Sequence, residues 1–299
     1  MPIKLMYCTN RPEIATIAEH AGVGRIWVDM ERIGKAERQR RMDTVQSDHT
    51  PEDVAAIRAV LKKAELVVRV NPLHEGAAGV LSSREEIDRV CKNGADLVML
   101  PYFKTADEVR RFADMVDGRA KVYPLLETPE AVAVLDEILS IDGIDEIHVG
   151  LNDLTLGSHK RFLFEPLADG TVDDLCARFA ARGIPYGFGG FCGIGNGEVP
   201  AEYVISEHYR LGSTRAILSR TFCKPEQFDS LETVSEIFET GLCAIRACEA
   251  AAEDARRAGN TAYFEENRAI LCDAVARAIR ARAIHAREAR ANDRGDDRL

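Results

Sequence analysis

The sequence predicts an α/β protein whose strands and helices alternate and close into a (β/α)8 barrel with extra C-terminal helices. Eight short apolar runs recur between residues 4 and 218, and amphipathic segments separate them. Runs rich in Val, Ile and Leu are typical of parallel strands buried on both faces. An open doubly wound sheet that binds a nucleotide usually has a glycine-rich turn after its first strand. The corresponding segment here, Cys8-Thr9-Asn10-Arg11, contains no glycine. We therefore expect a TIM barrel.

Each strand is predicted from its own apolar run. The eight runs are Lys4 to Cys8, Arg25 to Asp29, Leu66 to Val70, Asp96 to Leu100, Lys121 to Leu125, Glu146 to Gly150, Pro185 to Gly190 and Thr214 to Leu218.

Helix boundaries are predicted from capping residues. Thr50, Thr105 and Thr128 each precede proline or acidic residues, as N-cap residues do. Glycines suited to left-handed C-caps follow several segments, at positions 22, 94, 183 and 212.

The chain changes character after the eighth predicted strand, so we predict a barrel domain over 1–224 and a helical extension over 225–299. The extension is rich in Ala, Arg and Glu, and residues 231–257 and 262–290 are predicted to form two helices. A barrel needs one helix after its last strand, so the extension has apolar surface to bury elsewhere. We expect it to pack against another subunit of a homo-oligomer, with a disordered charged tail from about 290.

Composition excludes several classes of protein. Acidic residues outnumber basic ones by 49 to 39, and this excess repels nucleic acid and anionic membranes. The sequence begins with no signal-like segment and contains no long apolar stretch, so we expect a cytoplasmic protein. The eight cysteines form no CxxC pair and are expected to be free, buried thiols.

Two carboxylates stand at the ends of adjacent predicted strands. Glu127 ends the fifth strand and Asp153 follows the sixth, and barrel active sites form at these carboxyl ends. Two carboxylates without His or Cys nearby suit a hard cation such as Mg²⁺ or Mn²⁺, with Co²⁺ left open. A 2-keto acid can chelate such an ion, which then stabilises an enolate. Each residue has a structural alternative, since Glu127 and Asp153 could simply cap the helices that follow them.

Arg69 ends the third predicted strand and is suited to bind the substrate carboxylate through paired hydrogen bonds. Asp29 ends the second strand and is expected to orient water or a proton donor. Leu151 and Asn152, beside Asp153, are further candidates for substrate binding.

The segments in this order resemble the HpcH/HpaI aldolase and citrate lyase family of metal-dependent enzymes. The resemblance runs from about Arg25 to Leu218 and rests on Asp29-Met30-Glu31, Val68-Arg69-Val70-Asn71, Gly94 to Pro101, Leu126-Glu127-Thr128-Pro129 and Gly150-Leu151-Asn152-Asp153-Leu154. It implies a metal on Glu127 and Asp153, Arg69 at the pyruvyl group, and C-terminal helices exchanged between subunits.

One position departs from the family pattern. In the aldolase branch an Asp-Gly-Glu-His motif supplies an Asp–His pair that moves protons, whereas this chain reads Asp29-Met30-Glu31-Arg32. Arg32 stays protonated and cannot be the base. A substitute base could be His49 or a water on the metal. For His49, a capping or solvated loop residue is the preferred interpretation.

The predicted loop over 30–50 is long and basic, with Arg32, Lys35, Arg38, Arg40 and Arg41. It is either a lid for an anionic acceptor, in which case Arg32 binds substrate, or a solvated basic helix.

We predict an enzyme, a metal-dependent carbon–carbon lyase of the aldolase type that acts through a pyruvate enolate on a 2-keto acid. The alternatives are phosphoenolpyruvate or acyl-CoA transfer chemistry on the same pyruvyl core, and a non-catalytic barrel that binds a keto acid.

Overall fold

A closed barrel of eight parallel strands forms the centre of the molecule. The computed structural model describes residues 2–35, 47–77 and 79–296, with side chains up to residue 284. Each strand pairs with the next along the chain, and the eighth pairs with the first. The strands are β1 Lys4–Cys8, β2 Arg25–Asp29, β3 Glu65–Arg69, β4 Leu97–Leu100, β5 Lys121–Leu126, β6 Ile147–Val149, β7 Tyr186–Phe191 and β8 Arg215–Leu218. The predicted (β/α)8 barrel is confirmed.

Helices surround the barrel and follow its strands. Those described are α1 Pro12–Ala21, α2 Pro51–Val60, α3 Ser83–Lys92, α4 Ala106–Val116, α5 Pro129–Ala133, α6 Leu135–Ile138, α7 Leu151–Gly157, α8 Glu165–Ala168, α9 Thr171–Ala181, α10 Ala201–Arg210, α11 Leu231–Arg257 and α12 Thr261–Asp296. The three predicted N-caps are confirmed, because the side chains of Thr50, Thr105 and Thr128 accept backbone N–H groups of α2, α4 and α5.

The interior of the barrel is filled by side chains that alternate along each strand. A cluster of interior side chains includes Met6, Trp27, Val67, Leu97 and Tyr123. The other face of each strand packs against the helices in a larger apolar core. A packed interior of this kind leaves the ends of the barrel for polar groups.

Charged side chains close the amino-terminal end of the barrel. Arg25 is fully buried and donates to Glu146 at 2.7 Å and to Glu65 at 2.9 Å. Arg215 also donates to Glu146, at 2.8 Å, and Lys4 and Lys121 contact Glu65 at 2.8 and 2.7 Å. These contacts join the starts of strands on opposite sides of the barrel.

The C-terminal helices pack on the same barrel. In α11, Phe238 is fully buried and its ring meets Tyr7 edge-on at 4.9 Å. Glu249, also in α11, accepts the backbone N–H of Ile3 at 2.6 Å. The apolar face of α11 is therefore covered by its own chain, and association between subunits stays a prediction. Helix α12 continues to Asp296, past position 290 where the sequence predicts disorder.

No helix in the described part of the chain is long and apolar enough to cross a membrane. All eight cysteines are free, as predicted; Cys176, Cys192 and Cys223 are buried, whereas Cys243 is exposed.

Candidate active site

The polar side chains singled out in the sequence lie at one end of the barrel. Asp29 ends β2 and Arg69 ends β3, and the two residues are partners in the strand register. Glu127 follows β5 directly, and Asp153 lies in the first turn of α7, which begins after β6. Parallel strands of a barrel present their carboxyl ends at the same face. The fold therefore gathers these four residues at the barrel mouth.

Asp29 and Arg69 form a two-pronged ion pair. Nε and Nη2 of Arg69 donate to the two carboxylate oxygens of Asp29, each at 2.8 Å, and Lys35 Nζ adds a contact of 2.9 Å. Burial alone would raise the pKa of Asp29, but Arg69 and Lys35 hold that pKa far below its ordinary value. Asp29 is therefore a charged acceptor, and it has no proton to donate at neutral pH.

Glu31 completes a buried group of four charges with Asp29, Arg69 and Lys35. Its carboxylate is 1% exposed and lies 3.2 Å from Arg69 Nη1 and 3.4 Å from Lys35 Nζ. Both carboxylates thus lie against the same two cations, and Arg220 approaches Asp29 as well, at 3.9 Å. Arg69 donates one N–H from Nε and one from Nη2 to Asp29, while Nη1 lies near Glu31, so some of its five N–H groups remain for a ligand.

Glu127 sits in a different electrostatic setting. Its side chain is 3% exposed and accepts the backbone N–H of Tyr102 at 2.9 Å. Burial raises the pKa of Glu127 well above its ordinary value, and the negative charges of Asp153 and Glu31 raise it further, against the opposing charge of Arg69. Burial and the neighbouring carboxylates therefore both disfavour the charged form of Glu127.

Gly150 allows Glu127 to lie against the backbone of the neighbouring strand end. A Cβ atom at position 150 would stand 2.6 Å from Glu127 Oε2 and 2.8 Å from Glu127 Cβ. No side chain fits in that space. Glycine at this position therefore lets the segment that carries Asp153 approach Glu127 closely.

His49 is buried beside Asp29. It is 9% exposed, and its Nδ1 accepts the backbone N–H of Asp29 at 2.9 Å. Nδ1 is therefore unprotonated and Nε2 carries the hydrogen. Burial lowers the pKa of His49, which favours this neutral form. A base role for His49 would need the opposite tautomer.

A family model for the HpcH/HpaI aldolase/citrate lyase group matches residues 4–161, just over half of the chain. The chain belongs to the HpcH/HpaI aldolase/citrate lyase family. All of the predicted site residues lie within the matched range. No curated protein matches the chain by sequence.

Solved structures of the family share the fold. An HpcH/HpaI aldolase from Desulfitobacterium hafniense DCB-2 has 14% identity and a TM-score of 0.56, and the match covers 79% of this chain and 93% of that one. An HpcH/HpaI aldolase/citrate lyase family protein from Burkholderia cenocepacia J2315 has 17% identity and a TM-score of 0.55, covering 78% and 95%. At these identities the likeness speaks for the fold alone.

Arg32, which replaces the histidine of the family pattern, contacts the loop around it. Its side chain is exposed, and Nη2 donates to the backbone oxygen of His49 at 3.2 Å. Its backbone N–H donates to Asn71 Oδ1 at 2.8 Å, and Asn71 is held in turn by Glu86. Arg32 therefore fixes the start of the long loop onto the end of β3.

Residues 36–46 of the predicted lid, with Arg38, Arg40 and Arg41, lie outside the described residues. Lys35 is described, and it does not face solvent: it is 4% exposed and contacts two carboxylates of the mouth. Its side chain therefore neutralises the charges of Asp29 and Glu31 and does not reach out toward an anionic acceptor.

Leu151 and Asn152 differ in their surroundings. Leu151 is 1% exposed and packs so closely on Gly189 of β7 that a Cβ atom there would stand 2.5 Å from its Cδ1. Asn152 is half-buried and precedes Asp153 directly. Of the two, Asn152 has the polar group and the exposure that contact with a substrate requires.

His148 belongs to the barrel core, as expected from its place inside a strand. Its two ring nitrogens lie 3.1 Å from Tyr123 Oη and 3.0 Å from the backbone oxygen of Gly189. Burial lowers the pKa of His148 to about 4, so the ring is neutral.

The donor set at Glu127 and Asp153 fits a hard divalent cation. Both groups are carboxylates, and a bound cation would favour the charged form of Glu127, which burial and the nearby carboxylates disfavour. Within the described residues, no three or more His, Cys, Asp or Glu side chains converge to hold an ion. An ion here would have Glu127 and Asp153 as its carboxylate ligands, and water or substrate oxygens could fill further positions.

Proposed function

We propose that the chain is a divalent-metal-dependent carbon–carbon lyase of the aldolase type, acting on a 2-keto acid through a pyruvate enolate. Family membership supports lyase chemistry. The observation that carries the finer proposal is the difference in surroundings between two sets of carboxylates at the barrel mouth. Asp29 and Glu31 form ion pairs with Arg69 and Lys35, whereas Glu127 is buried near the carboxylates of Asp153 and Glu31, and both burial and these charges disfavour its charged form.

In this proposal Glu127 and Asp153 hold Mg²⁺, Mn²⁺ or Co²⁺. The bound ion would act as a Lewis acid toward the keto oxygen. Arg69 orients the substrate carboxylate with the N–H groups that Asp29 and Glu31 leave to it, and Asn152 lies within the same segment as Asp153.

Proton handling falls to the groups around Asp29. Arginine cannot act as a base, and Asp29 is an ionised acceptor that orients water or another proton carrier. His49 in its observed tautomer contributes an Nε2–H donor, because Nδ1 is occupied by the backbone of Asp29. The acceptor half of the substrate is proposed to be anionic, with the basic loop as its contact.

Two further proposals concern the whole protein. We propose a cytoplasmic enzyme and a homo-oligomer whose subunits associate through α11 and α12. The exposed Ile270 and Ile284 of α12 support such association, since both are large apolar side chains at the surface.

A cleavage assay tests the proposed function. Protein stripped with EDTA and then reloaded with Mg²⁺, Mn²⁺ or Co²⁺ would be given 4-hydroxy-2-keto acids, and released pyruvate would be followed through lactate dehydrogenase. We expect release that requires metal and falls at least about 10³-fold in Glu127→Gln and Asp153→Asn, which keep side-chain size but lose charge. Cleavage that persists without metal, or in both variants, would contradict the proposal. Metal-dependent binding of keto acids without any cleavage would favour the non-catalytic alternative.

A further inference from the structure

Tyr102, two residues after the end of β4, has a backbone conformation that tyrosine rarely adopts. Its φ is 50°, in the left-handed region. Among the described residues other than glycine, only Asp117 and His159 share a positive φ, and Asp117 caps a helix. Such conformations persist where surrounding contacts fix them, and they are frequent at functional sites.

The contacts that fix Tyr102 lead to the metal-binding segment proposed above. The backbone N–H of Tyr102 donates to Glu127 Oε1 at 2.9 Å. One residue further along each segment, the hydroxyl of Thr128 donates to the backbone oxygen of Phe103 at 2.6 Å. Two hydrogen bonds thus join the turn after β4 to the end of β5.

Burial holds both sides of this junction in place. Phe103 is 1% exposed and Thr128 is 2% exposed, so neither can move without disturbing the core. At the surface, Lys104 pairs with Glu130 at 2.9 Å and joins the same two segments again. The left-handed turn at Tyr102 is the conformation that aims its N–H at Glu127 while Phe103 stays buried.

We propose that Tyr102 is a positioning residue, whose left-handed backbone holds one oxygen of Glu127 and so fixes the carboxylate that would bind the metal. The role belongs to the backbone of Tyr102 and not to its phenol. This inference rests on the proposed function, because it assigns Glu127 to a metal.

Substitutions that differ in their tolerance of the left-handed region test the inference. Glycine and asparagine adopt it readily, whereas valine, being β-branched, does so only as an outlier. We expect Tyr102→Gly and Tyr102→Asn to bind Mn²⁺ within about twofold of wild type, measured by titration with electron paramagnetic resonance detection. We expect Tyr102→Val to bind it at least about tenfold more weakly. Asp117→Val, at the left-handed residue that caps a helix, should leave Mn²⁺ affinity unchanged.

A second pair keeps the test decisive if Tyr102→Val does not fold. Thr128→Val removes the hydroxyl that holds Phe103 and should weaken Mn²⁺ binding, whereas Thr128→Ser keeps the hydroxyl and should not. Equal affinities across the Tyr102 series, or a loss in Tyr102→Gly as large as in Tyr102→Val, would overturn the inference. A wild-type protein that binds no Mn²⁺ would contradict the metal site itself, so the two failures are distinguishable.

Discussion

The surroundings of the buried carboxylates at the barrel mouth shift their pKa values in opposite directions. Arg69 and Lys35 surround Asp29 and favour its charged form, whereas burial and neighbouring carboxylates disfavour the charged form of Glu127. Separate environments for nearby acids are how enzymes divide roles among identical groups. At Asp29 the result is a charged hydrogen-bond acceptor. At Glu127 it is a carboxyl group whose charged form a bound cation would stabilise.

His49 gives a prediction at the scale of one residue. Asparagine can keep an acceptor where Nδ1 lies, and so retain the contact with the backbone of Asp29, but it has nothing at the Nε2 position. We expect His49→Asn to lower kcat by about 100-fold with little change in KM, as for loss of one donor at a reacting oxygen. Steady-state kinetics of pyruvate release would measure this.

The matched variant is His49→Gln, whose amide nitrogen can replace the Nε2 donor. We expect it to retain more activity than His49→Asn. Wild-type kcat should fall only below the ordinary histidine pKa of about 6.5, because burial lowers the pKa of His49 and the neutral ring is the working form. Full activity in His49→Asn would show that Nε2 has no role.

At the scale of elements, the apolar pattern was sufficient to predict the strands, and capping residues predicted the starts of three helices. All eight predicted runs are strands, with ends that differ by at most one residue; β6, for example, is shortened by one residue at each end, to Ile147–Val149. Each run is apolar because both of its faces are buried. The threonine caps were also predictable from local sequence, because a side-chain oxygen accepts N–H groups of the first helical turn.

Contacts between elements were harder to predict. For the basic loop that contains Lys35, the sequence left open a lid for an anionic acceptor or a solvated basic helix, yet Lys35 is buried against Asp29 and Glu31. Tyr102 gave no signal, because its importance lies in a backbone angle and in the partner of its N–H. Contacts of this kind depend on which strands are neighbours in the barrel. The sequence does not print that order, so it had to be assumed. The positions of Glu127 and Asp153 at one face followed from the barrel alone.

At the scale of the whole molecule, the two ends of the barrel have different tasks. The carboxyl end carries the candidate site, and the amino end carries the ion pairs of Arg25, Glu65, Glu146 and Arg215. These pairs join β2, β3 and β8 to the start of β6. Their arrangement suggests that the amino end supports stability, as is usual in this architecture.

Glu146→Gln tests that role. The substitution keeps side-chain size but leaves the guanidinium of Arg25 buried beside a neutral amide, and breaking a buried pair costs about 3–5 kcal/mol. The pKa of Glu146 and that of Glu65 are each lowered to about 2 by these cations. The stability they contribute is therefore complete above about pH 4.5 and is lost as the pH falls toward 2. Urea unfolding between pH 7 and 3 would measure both effects, and the variant should lose less stability on acidification.

Glu253→Gln is the matched control. Glu253 also pairs with arginines, Arg256 and Arg257, but on the exposed surface of α11, where solvent screens the pairs. We expect little change in its unfolding. Equal behaviour of the two variants at pH 7 would show that the ion pairs at the amino end contribute nothing special.

Enolate formation at Glu127 and Asp153 is the central claim, and proton exchange tests it without knowledge of the acceptor. Metal-loaded protein would be incubated with pyruvate in deuterated water, and the methyl proton signal would be followed by NMR. We predict metal-dependent loss of that signal in wild type and none in Glu127→Ala or Asp153→Ala. Retention of the signal in wild type with pyruvate and metal both bound would contradict enolate chemistry. Exchange that survives in both variants would contradict the assignment of the site.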